Sequence, residues 1–271
     1  MPVRLPKPVL PFYFGPADKR LFGCYHEARI GHTRNCAVVV CQPTGHEYIY
    51  CHRALRQLAA RLSDSGFPVC RFDYYGCGDS YGNAEEAGLS QWLRDISSAI
   101  AEAKIRAGVD RVCLIGLRLG AALSLITASQ RDDIDSLVLW DPVVIGKVCL
   151  SGLSSLQKEA LRCRPKPIRQ PKSQAYIEII GFPLPALLCA ELEELNLLTI
   201  VPKATTNIFV IQSDLPADGD CLKHHLSNHQ VRFEYQQVQA PRIWLPTVDG
   251  SLLVPSQILQ SVVNWTCRMH A

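Results

Sequence analysis

The chain has 271 residues, 48% of them hydrophobic and 20% charged, with a formal net charge of +3. That length suits one large α/β domain, or a core carrying an insertion. So small a positive charge argues against nucleic acid or an anionic membrane surface as partner, and the twelve cysteines, scattered from Cys24 to Cys267 without a C-x-x-C pair or Cys/His spacing, argue against a zinc site or a disulfide framework.

The first residues, Met1 to Pro8, hold no apolar stretch of signal-peptide length, and no run anywhere is long enough to span a membrane. A reducing cytoplasm with free thiols is the expected setting. Further on, short apolar runs alternate with segments of helical period, the pattern of a mostly parallel sheet with crossover helices. Strands are predicted at Leu21 to His26, Ala37 to Cys41, Val69 to Phe72, Val112 to Ile115, Ser136 to Trp140, Ile208 to Gln212 and Val231 to Tyr235. The middle ones are unbroken Val/Ile/Leu/Cys runs, as strands covered on both faces require. Cys51, Ala54, Leu55, Leu58, Ala59 and Leu62 mark one helix, closed by Gly66. Leu89, Trp92, Leu93, Ile96, Ile100 and Ala103 mark a second, ended by Gly108. A last helix opens at Pro255 and buries Ile258, Leu259, Val262 and Val263.

From about Ile145 to Thr206 no strand is predicted. Helical segments at Leu150 to Leu161 and Pro185 to Leu198 flank a Pro/Lys/Arg-rich piece, Arg164 to Lys172. A structureless loop of that length is uncommon inside a domain, so residues 146–205 are expected to form a helical lid, and 1–145 with 206–271 the core.

The sharpest feature is Val112-Cys113-Leu114-Ile115-Gly116-Leu117-Arg118-Leu119-Gly120. A buried strand runs through G-x-R-x-G straight into an apolar helix, with the spacing of a nucleophile elbow, G-x-S-x-G. Arg71-Phe72-Asp73-Tyr74-Tyr75-Gly76-Cys77-Gly78-Asp79-Ser80 and Gln42-Pro43-Thr44-Gly45-His46-Glu47 each follow a predicted strand. With these three motifs in order, the chain resembles the α/β hydrolases of the serine-aminopeptidase-like branch. It looks closest to the hydrolase-like proteins that accompany bacterial exosortase and exopolysaccharide systems. The resemblance implies an α/β-hydrolase fold, half of an oxyanion hole near Gly45, and a catalytic triad.

The triad is where the chain departs. Arg118 stands at the serine position, and its guanidinium stays protonated at any working pH. The family's histidine follows the last strand, yet Pro241 to Pro255 contains none. Asp214, after Ile208 to Ser213, matches the triad carboxylate. A cation at a helix N-terminus is unfavourable and a buried one needs an anion, which Glu47, Asp141 or Asp214 would supply. Two outcomes remain open. Arg118 closes a salt bridge in a plugged pocket, or its guanidinium, with the backbone N–H groups near Leu119 and Gly45, holds a small acyl or anionic ligand.

Cys77 is expected to be packing and not a substitute nucleophile, and Asp73, Asp79 and Ser80 to brace their loop. His224, His225 and His229 are expected on a solvated helix, while His46 lies beside the oxyanion-hole segment and is kept as a contact or base. The proline-rich arm would suit an acidic protein partner such as a carrier protein. No cofactor or metal is implied. The expected function is therefore a non-catalytic hydrolase-fold binding protein. The alternative is an atypical hydrolase, acyltransferase or lyase using Arg118 for electrostatic stabilisation.

Overall fold

The computed structural model describes residues 9–29, 33–162, 176–203, 206–213, 219–229, 231–247 and 249–271. Chain order begins with β1 (Val9–Phe14), β2 (Leu21–His26) and β3 (Ala37–Cys41), then helix α1 (His46–Asp64) and β4 (Val69–Phe72). After α2 (Leu89–Ala107) come β5 (Val112–Leu117), α3 (Leu119–Ser129) and β6 (Ile134–Trp140). Helix α4 (Gly146–Arg162), β7 (Tyr176–Ile179), β8 (Phe182–Pro185) and α5 (Ala186–Glu194) separate β6 from β9 (Asn207–Gln212). Helix α6 (Gly219–Asn228), β10 (Phe233–Gln237) and α7 (Ser256–Met269) complete the chain.

Eight strands form one sheet in the order β1-β2-β4-β3-β5-β6-β9-β10. All pairs from β4 to β10 are parallel, and only β1 and β2 run against their neighbours. Every residue of β3, β4 and β5 is buried, which explains the unbroken apolar runs of β3 and β5; in β4 the buried Arg71 donates from Nε to His26 Nε2 (3.2 Å). One face is covered by α2 and α3, with Trp92, Ile96, Ala121 and Leu125 in a shared core. The other is covered by α1 and α7, with Leu55, Leu58, Ile258 and Val262. This is the α/β-hydrolase arrangement the motifs called for.

Three expectations are corrected. β1 escaped the pattern because Pro11 interrupts it; proline is tolerated there because β1 is an edge strand. The last strand lies two residues later, at Phe233–Gln237. Finally, the segment between β6 and β9 is not purely helical, since β7 and β8 pair as an antiparallel hairpin. Its turn residues, Ile180 and Gly181, both take positive φ (48° and 85°). A β-branched residue rarely adopts that conformation, and so Ile-Gly is no turn signal in sequence. The Ile180 N–H donates to Gln157 Oε1 of α4 (2.7 Å), which ties the hairpin tip to that helix. The proline-rich arm lies outside the described residues.

Candidate functional site

At the C-terminal end of β5 the chain turns through Arg118 into α3, with φ 57° and ψ −122°. A non-glycine residue there costs on the order of 1–3 kcal/mol, and the flanking glycines show why the turn is retained. A Cβ on Gly116 would lie 2.4 Å from Ala121 Cα, and one on Gly120 would lie 2.2 Å from the Cys41 carbonyl oxygen. The turn thus presses strand, helix and neighbouring strand together, and only G-x-x-x-G fits. It presents residue 118 at the top of the sheet, as a nucleophile elbow does.

The side chain presented is a guanidinium with three protein contacts. Arg118 Nε donates to Glu47 Oε1 at 3.1 Å, and Nη1 donates to the Asp141 carbonyl oxygen at 3.3 Å. The guanidinium carbon lies 4.6 Å from the ring centroid of Trp244. Glu47 stands in the first turn of α1, the end of a helix that favours an anion, while Arg118 is at the end of α3 that disfavours a cation. The ion pair offsets that mismatch. Although burial opposes its charge, Glu47 and then Cys149 and Asp141 nearby hold the Arg118 pKa above its ordinary value. Two of the five guanidinium N–H donors are engaged in this way. Three remain without a partner among the described residues.

Of the three acids that could have paired with Arg118, Asp141 does not turn its carboxylate to it. Its carboxylate accepts instead from the Ser213 backbone N–H (2.9 Å) and the Ser213 hydroxyl, and only its carbonyl reaches Arg118. Burial raises its pKa to about 6, against those hydrogen bonds and Arg118. Asp214, the matched triad acid, lies outside the described residues. Trp244 comes from the segment after the last strand, where the resemblance placed a histidine. In the sequence that segment is marked by its missing histidine, and the tryptophan carries no motif signal. Cys149 and Ser213 carried no signal of their own.

Two cavities open at this point. One, of about 490 Å³, is walled by Arg118, Glu47, Asp141, Trp244 and Arg242 below and by α4 residues including Val148 and Leu156 above. The salt bridge therefore does not plug the pocket. The other, of about 280 Å³, is mainly apolar and is walled by Gly45, Leu119, Trp92, Phe182, Leu188 and Leu192. His46, Glu47, Cys149 and Leu153 line both. His46 is 4% exposed, and its Nε2 has no hydrogen-bond partner among the described residues. Burial lowers its pKa, Glu47 opposes this, and Arg118 lowers it further, so the ring is neutral.

The loop after β4 is braced as expected. The Asp73 carboxylate accepts from Gln42 Nε2 (2.6 Å), the Tyr48 hydroxyl (3.1 Å) and the Asp79 N–H (3.0 Å), and the Ser80 hydroxyl donates to the Asp73 carbonyl. Burial pushes the Cys77 thiol up to about 12, which disfavours the thiolate form that a nucleophile requires. His224 and His229 are exposed, whereas His225 Nε2 pairs with the Ile200 carbonyl oxygen (2.7 Å). Among the described residues no group of three or more His, Cys, Asp or Glu side chains is placed to hold a metal ion, and no helix is long and apolar enough to cross a membrane.

The family model for serine aminopeptidase, S33, matches residues 34–177, just over half of the chain. The chain belongs to this α/β-hydrolase family. Among curated proteins it is similar to human Protein ABHD12B, 32% identical over 123 residues, which are 44% of this chain and 32% of that protein. The chain thus spans about a third of the length of this relative. Among solved structures it is similar to Est1E from Butyrivibrio proteoclasticus with ferulic acid bound, at TM-score 0.70 and 16% identity, covering 95% of this chain and 98% of that one. It is also similar to the Pyrococcus furiosus esterase Pf2001, at TM-score 0.65 and 15% identity, covering 97% and 92%. At such identities the likeness is one of fold.

Proposed function

We propose that this chain is a hydrolase-fold protein that has given up hydrolysis, with Arg118 in place of the nucleophile, and that it binds an acyl ligand beside that arginine. One observation carries the reading: a guanidinium fixed by Glu47, the Asp141 carbonyl and Trp244 occupies the elbow and still opens onto a cavity of about 490 Å³. A permanently charged group cannot attack a carbonyl, whereas its spare N–H donors can hold an oxygen. The segment 146–205 is read as the lid of a core formed by 1–145 and 206–271. In support, α4 walls both cavities, and α5 reaches α2 through the Glu191 carboxylate, which accepts from the Ser90 hydroxyl (2.8 Å). A reducing, cytoplasmic setting and the exosortase-associated branch belong to the same reading; the unpaired thiols of the described cysteines fit the former.

A second reading keeps catalysis. An atypical hydrolase, acyltransferase or lyase would use Arg118 to stabilise negative charge. It is favoured by the neutral, unpartnered His46 and the raised Asp141 at the same cavity. A panel of acyl p-nitrophenyl esters and acyl thioesters, assayed with wild type and Arg118→Ala, separates the two. The binding reading expects background rates from both. Turnover that disappears in Arg118→Ala would replace it with the catalytic one.

A further inference from the structure

A second polar cluster lies away from the elbow, where α1 covers β2 and β4. The strand register sets Cys24 of β2 opposite Arg71 of β4 and His26 opposite Val69. Val69 packs with α1, so by the two-residue period of a strand Cys24, His26 and Arg71 share its face. Tyr48, His52 and Arg56, four residues apart, form one stripe of α1. Burial, and then Arg71 and Arg56, lower the pKa of both His26 and His52, against Asp73 in the second case. Arg71 is 7% exposed, and its hydrogen bond among the described residues runs from Nε to His26 Nε2. It makes no ion pair among them. The Asp73 carboxylate acts on it but is taken up by Gln42, Tyr48 and the Asp79 N–H. A buried guanidinium without a contacting anion is costly, and four of its five N–H donors have no acceptor among the described residues. His26 supplies none, because its Nε2 lone pair is spent on Arg71 and its proton sits on Nδ1. Arg56 is a donor only. What the cluster lacks is an acceptor, and it is open on the helix side, where His52 and Arg56 are exposed and Cys24 and Tyr48 half-buried.

We propose that this crevice binds a small tetrahedral oxyanion of the phosphate class, held by Arg71 from beneath and by Arg56 and His52 at the rim. The site is separate from the elbow and independent of the acyl-binding reading. An oxyanion only accepts, and its paired oxygens match the planar fork of a guanidinium. Two arginines and an imidazole N–H can serve several of its oxygens at once. A free anion fits better than a phosphate group on a larger molecule, because the arginine that lacks a partner lies beneath the surface. No bond is made or broken; the assignment is one of binding.

Thermal melts of the full chain test it, with sodium phosphate, sulfate, acetate or phosphoserine titrated against chloride at constant ionic strength. Phosphate and sulfate should raise the melting temperature along the saturating curve of a single site, while acetate and phosphoserine should not. Arg71→Met should be at least as stable as wild type in chloride, since a buried charge is removed, and should lose the saturating response. Arg56→Ala changes an exposed residue and so tests the site even where Arg71→Met does not fold. It should weaken phosphate about tenfold, the factor of one charge-assisted hydrogen bond. Arg53→Ala, on the same helix but off the stripe, should leave phosphate affinity unchanged. These salts also stabilise proteins generally. A rise that does not saturate, or that is equal in wild type, Arg56→Ala and Arg71→Met, is that general effect and would overturn the site. Acetate as effective as phosphate would overturn the tetrahedral class, and phosphoserine as effective would overturn the assignment to a free anion.

Discussion

Arg118 and Trp244 face each other across the top of the sheet, guanidinium carbon 4.6 Å from ring centroid. The first stands at the elbow, where this family's resemblance expects a serine. The second belongs to the loop where it expects a histidine. A cation–π pair of this kind contributes about 0.5–2 kcal/mol.

Breaking the ion pair from its acidic side should be costly. With the Glu47 side chain 9% and the Arg118 side chain 21% exposed, Glu47→Ala strands a mostly buried cation, and we expect a loss of about 3 kcal/mol in urea unfolding. Adding Arg118→Met to that variant should recover stability, because the uncompensated charge is gone. A Glu47→Ala cost below about 0.5 kcal/mol would place the pair among surface bridges of negligible worth.

The turn itself should tolerate no methyl group. Gly120→Ala puts a Cβ against the Cys41 backbone oxygen, at 2.2 Å in the unrelaxed geometry, where neither strand nor helix has room to yield. We expect a loss of at least about 3 kcal/mol, or no folded protein. Gly152→Ala, inside α4 where an added Cβ meets nothing within 4 Å, should stabilise by up to about 1 kcal/mol. Similar stabilities for the two would contradict the packing described for the elbow.

Two buried groups should shape the acid limb of the stability curve in opposite senses. Asp141 is raised to about 6 by burial. It binds its proton more readily folded than unfolded, so its contribution is complete below the ordinary carboxylate value and fades as pH rises toward 6. His26 is lowered to about 4, by burial and then by Arg71, whose Nε lies 3.2 Å from His26 Nε2. Its contribution is complete above the ordinary imidazole value and is lost as pH falls through 4. Each amounts to about 3 kcal/mol, and between pH 4 and 6 they largely cancel. Denaturant melts across that range should show Asp141→Asn losing stability on acidification faster than wild type, and His26→Gln more slowly. Parallel curves for all three proteins would rule this account out.

Thiol mapping checks the view that Cys77 is packing. With the Cys77 and Cys149 thiols both pushed up to about 12 by burial, iodoacetamide at pH 8 should label exposed Cys221 rapidly. Cys77 and Cys149 should react only after denaturation. Labelling of native Cys77 at the rate of Cys221 would reopen its candidacy as a nucleophile.

Much of this could be read from the chain. The central parallel strands β3 and β5 were legible because burial on both faces leaves them wholly apolar, and the elbow because backbone crowding leaves glycine as the only choice at 116 and 120. Glu47 was legible as one of three acids able to reach Arg118. Which of the three would do so was not. Asp141 turned its carboxylate to Ser213, a choice made by local hydrogen bonding that sequence spacing does not record. The hairpin β7–β8 was hidden by Ile180, whose side chain argues against the positive φ that it adopts. Trp244 was hidden because a tryptophan in a loop reads as packing until its neighbour is known to be a guanidinium. The joint wall at His46 and Cys149 exists only in three dimensions, since the parts of the chain that build it lie about a hundred residues apart.

The most direct test of the central claim is intact-mass analysis of the native chain after prolonged exposure to a fluorophosphonate, which phosphonylates the activated serine of a working hydrolase. With Arg118 at the elbow and no paired base among the described residues, the mass should remain that of the unmodified chain. A stoichiometric adduct would show an activated hydroxyl that the structure does not, and would contradict the reading of this fold as one that has left hydrolysis behind.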